Sequence, residues 1–166
     1  MTTVDMSVCL MVNHLGRKQG IVRFFAIISR LGDGVFWYSL MTLIPFVYGW
    51  EGLGVSVRMA VASFAGLLVY KFIKSATERL RPFMVDKRIC VGVAPLDKYS
   101  FPSGHTLHAT SFSLIVIYYL PELFWLVTPF AFLIAVSRVV LGLHYPTDVF
   151  AGASIGAGIA LLVLSV

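Results

Sequence analysis

The chain is 166 residues long, the length of one domain, yet 58% of its residues are hydrophobic and only 13% are charged, and its mean hydropathy is +0.88. That balance excludes an ordinary soluble domain and marks an integral membrane protein. The net charge of +5 sits on basic residues interleaved with apolar runs rather than spread over a soluble face, which disfavours nucleic acid and favours anionic lipid or a phosphorylated substrate.

No cleaved leader is expected, because Asp5 and His14 interrupt the first residues and no basic leader precedes a small-residue cleavage site. The apolar runs VDMSVCLMV and IVRFFAII are split by the polar GRKQG, and each is shorter than the roughly 20 residues of a spanning helix. They predict one or two amphipathic helices within 1–34, at the interface or packed on the bundle, with Gly32, Asp33 and Gly34 as the turn into the first span. Spans follow at 35–50, 55–72, 106–120, 124–136 continuing towards 141, and 149–166, about five in all. Tight turns at 49–54 and at Pro121 and Glu122 contrast with a long polar segment over 74–103. This order places the N-terminus, the long segment and the loop holding His144 on one side, with a site at the membrane surface. In the last span, Gly152 and Gly156 have small-xxx-small spacing, which predicts close packing within the chain's own bundle. Cys9 and Cys90 make neither a disulfide scaffold nor a metal site. The expected fold is all-α: a single membrane-embedded helical bundle over 1–166, with 74–104 as its active-site loop region.

Three stretches carry the chemistry. In KSATERLRP, Lys71, Lys74, Glu78 and Arg81 share one face if the helix continues that far. Pro82 disfavours helix at Arg81, so this arginine is expected where the chain leaves the helix. Lys74 and Arg81 then point two cations at one volume; a basic interfacial collar is the competing reading. In YSFPSGHT, Ser103 is placed to cap a helix whose first N–H groups, from Gly104 onwards, make a ready anion site. His105 in that first turn is a candidate proton donor to a leaving oxygen, while a hydrogen-bonded structural role suits His108 better. HTLH reads poorly as a metal pair, since no cysteine or carboxylate cluster completes a ligand set. In SRVVLGLHYPTD, Pro146 suits a first helical turn and Asp148 follows in that turn, four residues after His144. Asp148 can reach one ring nitrogen of His144 and leave the other as a nucleophile. Arg138 offers a forked donor to phosphate; a snorkelling anchor is its bland reading. Taken together, these cations, the helix N-terminus, two histidines and one carboxylate suit phosphoryl transfer, where catalysis is mostly positioning and charge neutralisation.

The three stretches K-x6-RP (Lys74, Arg81, Pro82), PSGH (102–105) and SR-x5-H-x3-D (Ser137, Arg138, His144, Asp148) together resemble the signature of the type 2 phosphatidic acid phosphatase superfamily. The resemblance implies a haloperoxidase-like helical core and a metal-independent phosphatase with no cofactor. It implies that His144 attacks phosphorus to form a phosphohistidine, that Asp148 orients His144, and that His105 protonates the leaving group. Lys74, Arg81 and Arg138 hold the phosphate oxygens, with Ser103 and the Gly104 backbone assisting. The family's soluble vanadate-dependent haloperoxidases share the pocket, but the membrane character argues against that branch. The substrates implied are lipid phosphates: phosphatidic acid, phosphatidylglycerol phosphate, lipid A phosphates or polyprenyl diphosphates. A phosphotransferase using the same phosphohistidine, and a non-catalytic lipid-phosphate binder or transporter, are the alternatives; the second has no need of His144 and Asp148. The loop 83–99 is expected over the pocket, with Lys87, Arg88 and Lys98 meeting a second phosphate. Of 13 Lys and Arg residues, only Arg58 lies near the tight-turn side, which by the positive-inside rule points the site to the cytoplasm. The resemblance points instead to the external face of a multi-pass cell (inner) membrane protein, and this placement is preferred because the charge rule is confounded by site residues.

Overall fold

The computed structural model describes residues 3–16, 18–95 and 97–166; Arg17 in the polar break and Leu96 in the long loop fall outside them. In chain order come α1 (Thr3–Leu15), α2 (Gln19–Arg30), a π-helical turn (Leu31–Val35), α3 (Phe36–Thr77), α4 (Pro82–Val85), α5 (Gly104–Tyr119), a 3₁₀ turn (Pro121–Leu123), α6 (Phe124–Val140) and α7 (Pro146–Leu164). Among the described residues there is no strand beyond a single antiparallel bridge between Leu80 and Tyr99. The all-α expectation holds, and α1 and α2 pack on the bundle, α2 against α6 and α1 against α6 and α7.

Two glycines break one long apolar run into separate helices. Gly34 has φ 142°, which ends the α2 direction at the expected turn. Gly49, at φ 59° and ψ −134°, reverses α3 into two antiparallel arms, 36–48 and 50–77. Pro45 lacks an N–H, so the Met41 carbonyl has no helical donor; Ser56 Oγ from the returning arm donates to it at 2.7 Å. The arms touch so closely at Gly52 that a Cβ there would lie 2.5 Å from the Ile44 carbonyl oxygen. The arms carry the first two expected spans, but the turn is at Gly49 rather than across 49–54, so the second arm begins at Trp50 and runs on to Thr77.

Helix α5 occupies the middle of the bundle. Its Leu107, Ala109, Phe112, Ile115 and Val116 are buried with Trp37, Met59, Val127 and Ile134. It packs on α7 through the expected glycines: a Cβ on Gly152 or Gly156 would run into the backbone carbonyls of Ser103 and Leu107. By length and apolarity Gln19–Thr77, Pro121–Val140 and Pro146–Leu164 can cross a membrane. Helix α5 has 16 residues, short of the usual ~20, and is enclosed by the others. Large apolar side chains point outward, with Trp50, Phe46, Trp125 and Phe150 each more than three-quarters exposed, the surface of a protein solvated by lipid.

This packing brings the C-terminal ends of α3 and α6 and the N-terminal ends of α5 and α7 to one face. There the long loop is pinned by Asn13 of α1, whose side-chain N–H groups donate to the Cys90 and Val140 carbonyls at 2.8 and 2.9 Å and whose oxygen accepts the Cys90 N–H at 2.9 Å.

Candidate active site

A cavity of about 480 Å³ opens on that face, lined by Lys74, Arg81, Gly104, His105, Arg138 and His144 together with Asp33, Tyr70, Lys71 and Asp97. Trp37, Leu67 and Phe112 add an apolar part to the wall. Six of the eight residues singled out from the sequence therefore meet around one volume. Ser103 and Asp148, both fully buried, stand behind it.

Each side chain is delivered by local chain chemistry. Lys74 lies on the last turns of α3, which ends at Thr77 because Glu78 takes a left-handed conformation with φ 46°. The helix does not continue, so Glu78 leaves the shared face and accepts the Tyr99 hydroxyl at 3.0 Å instead. Arg81, extended before Pro82 as expected (φ −70°, ψ 152°), turns inward. Its Nη1 donates to the Leu143 carbonyl at 2.8 Å and lies 3.3 Å from His144 Nε2. Ser103 sits at the N-cap position of α5, but its hydroxyl pairs with Thr106 Oγ1 at 3.0 Å rather than capping the backbone. Its own N–H donates to the Asp148 carbonyl at 3.0 Å, tying α5 to α7.

His144 lies in the turn 141–145 between α6 and α7. Its backbone N–H donates to the Arg138 carbonyl at 3.1 Å, so the cavity-lining arginine and the histidine share one turn. Asp148 reaches back to accept the Tyr145 N–H at 2.9 Å, the expected helix-start carboxylate. The same Oδ2 lies 3.6 Å from His144 Nδ1, leaving Nε2 turned to the cations. Burial, and then Arg138, Arg81 and Lys74, hold the His144 ring well below the usual histidine range, so it is neutral at neutral pH with an electron pair available on one nitrogen.

Asp97 was not legible from the sequence as a site residue. Its carboxylate accepts Lys74 Nζ at 2.7 Å and Arg81 Nη2 at 2.8 Å, and its carbonyl accepts Arg81 Nε at 3.0 Å. Burial alone would raise the Asp97 carboxyl, but Lys74 and Arg81 outweigh it and hold it below the usual carboxylate range. Asp33, from the turn between α2 and α3, pairs with His105 Nε2. Arg138 Nη1 donates to Ser29 Oγ, and its buried Nε has no hydrogen-bond partner among the described residues. Lys87, Arg88 and Lys98 are not part of the lining. Arg88 pairs with Asp86 at 2.7 Å and Lys98 lies over the Tyr99 ring. The loop over 83–99 thus supplies an acid to the cavity, and the further cation is Lys71 of α3. Among the described residues no three His, Cys, Asp or Glu side chains converge as a metal site.

Residues 55–166 match the model of the PAP2 superfamily. The chain is 26% identical to the undecaprenyl-diphosphatase of Sulfolobus acidocaldarius over 152 residues, covering 90% of this chain and 71% of that protein. The crystal structure of LpxE from Aquifex aeolicus superposes with a TM-score of 0.87 at 23% identity, covering 99% of this chain and 97% of that one. A transmembrane PAP2-type phosphatidylglycerolphosphate phosphatase from Bacillus subtilis superposes with a TM-score of 0.76 at 27% identity, covering 99% and 86%.

Proposed function

The chain belongs to the PAP2 superfamily and is a membrane phosphatase of lipid phosphates, and we propose that it works without a metal ion, through a phosphohistidine on His144. The observation that carries this reading is the orientation of His144: Nε2 is turned to Arg81 in a cavity also lined by Lys74 and Arg138, and Nδ1 is turned to Asp148. In phosphoryl transfer the protein's main task is to position the group and neutralise its oxygens. Three cations around one nitrogen nucleophile supply both.

The substrate phosphate displaces Asp97 and is held by Lys74, Arg81 and Arg138, with the Gly104 backbone at the α5 N-terminus and the buried Ser103 behind it assisting. His144 Nε2 attacks phosphorus; an N–P bond forms, the P–O bond to the lipid breaks, and His105 gives its proton to the departing oxygen. Asp148 stabilises the ring as it becomes positive. Water then attacks the phosphohistidine, His105 takes the water proton, and the N–P bond breaks to release inorganic phosphate. The apolar wall of the cavity, with Leu67, Trp37 and Phe112, receives the lipid part. The site opens on the external face of the cell membrane.

The test is phosphate release from phosphatidic acid, phosphatidylglycerol phosphate and undecaprenyl diphosphate in detergent with chelator in excess. Release that persists with chelator and disappears in His144→Ala is expected. Activity that strictly requires an added divalent ion sinks this mechanism.

A further inference from the structure

Asp148 is gripped from the side away from His144. Its Oδ1 accepts Nη1 of Arg79 at 2.5 Å, and Nη2 of the same guanidinium meets Oδ2 of Asp5 at 2.5 Å. Asp5 also accepts the Thr147 hydroxyl at 2.6 Å and the Thr147 N–H at 3.2 Å. Arg79 lies over the Tyr145 ring, 4.1 Å from its centroid. Asp5 is 4% and Asp148 0% exposed. Arg79 is not among the residues lining the cavity, and Asp5, on α1, lies outside the segment matched by the family model.

A buried carboxylate keeps its charge only with a partner, which Arg79 provides for Asp148. A guanidinium paired with Asp148 alone, however, would cancel the charge that steadies a positive His144 ring. Asp5 changes that balance. Two carboxylates around one guanidinium leave one net negative charge in the cluster, next to Nδ1 of His144.

We propose that Asp5 of the N-terminal helix is a positioning residue for the nucleophile: through Arg79 it fixes Asp148 and keeps the buried cluster one charge negative beside His144. This rests on His144 being the nucleophile. The α1 helix is thereby part of the working site rather than only a packing element.

The experiment uses the full chain in detergent, with whichever of phosphatidylglycerol phosphate or undecaprenyl diphosphate the unmodified protein turns over faster. Asp5→Asn is expected to lower kcat about tenfold with KM unchanged, and to cause no further loss when added to Asp148→Asn, because both act through one carboxylate. An unchanged kcat in Asp5→Asn overturns the proposal, as does an equal loss in both backgrounds, the mark of an independent structural effect. Should Asp5→Asn fail to fold, Thr147→Val removes only the hydroxyl shared by Asp5 and Arg79. A smaller kcat loss that vanishes in Asp148→Asn is then expected, and an unchanged kcat counts against the proposal. Activity retained by His144→Ala overturns the nucleophile reading itself. Activity lost in His144→Ala but full in Asp5→Asn overturns this inference alone.

Discussion

Nδ1 of His144 stands 3.6 Å from Oδ2 of Asp148, beyond hydrogen-bond length, with the same oxygen already accepting the Tyr145 N–H. The backbone therefore holds the carboxylate beside the ring, and in the proposed mechanism positive charge on His144 draws the pair together. Asp148→Asn keeps the shape and removes the charge. It is expected to lower kcat by about 10²–10⁴-fold with KM little changed, as steady-state phosphate release measures. Loss confined to KM would place Asp148 in substrate binding instead.

Asp97 holds Lys74 and Arg81, the two cations that the proposed mechanism assigns to the phosphate group. Replacing it with Asn removes a competitor for the anion but leaves Lys74 and Arg81 without their carboxylate. Asp97→Asn is expected to bind inorganic phosphate more tightly, by roughly tenfold on the scale of a charge-assisted hydrogen bond, and to melt at a lower temperature. Product-inhibition constants and thermal melts in detergent check both. An unchanged inhibition constant would mean that Asp97 is not displaced.

Burial raises the Asp5 carboxyl, but the hydrogen bonds from Thr147 and Arg79 outweigh it and hold it below its usual range. A depressed carboxyl contributes stability that is present above the unfolded value, about 3.9, and is lost as pH falls through the folded value. The melting-temperature gap between the unmodified protein and Asp5→Asn is therefore expected to be constant from about pH 8 to 5 and to close below about pH 4. A gap that widens on acidification would reverse the sign of the linkage.

Much of the site was legible because its residues are chemically out of place. Arg138, His144 and Asp148 interrupt apolar sequence, Lys74, Arg81 and His105 stand where apolar runs meet the long polar segment, and prolines and glycines beside them mark where helices begin and end. The bundle was legible from the apolar runs, with Gly34 and Gly49 marking its turns. What stayed hidden depends on contacts between distant segments. Asp5 and Asp148 are 143 positions apart and are joined through the Arg79 guanidinium and through Thr147 beside Asp148. Asp97 looked like one polar residue among several in a loop, whereas Lys87, Arg88 and Lys98 beside it promised more charge than they deliver. Glu78 misled for a local reason: the helix expected to carry it stops at Thr77.

Sidedness is open to a chemical readout because the two cysteines differ. Cys9 is buried and Cys90 exposed; burial, with Asp5 and Asp148 adding to it, pushes the Cys9 thiol up to about 12, so Cys9 is inert and Cys90 is the cysteine open to a reagent in solution. An impermeant maleimide added to intact cells is expected to label Cys90, and a Cys90→Ser variant to remain unlabelled. Protection of Cys90 until lysis would put the site on the cytoplasmic side.

The proposed mechanism turns on a covalent phosphorus–nitrogen bond at His144. The most direct measurement is to mix the protein with lipid phosphate in excess chelator, quench in alkaline denaturant within the first turnover, and map the modified peptide by mass spectrometry. An added phosphoryl group on His144 is expected, acid-labile and alkali-stable, absent from His144→Ala and present at a lower level in Asp148→Asn. Phosphate released at full rate by His144→Ala would contradict it.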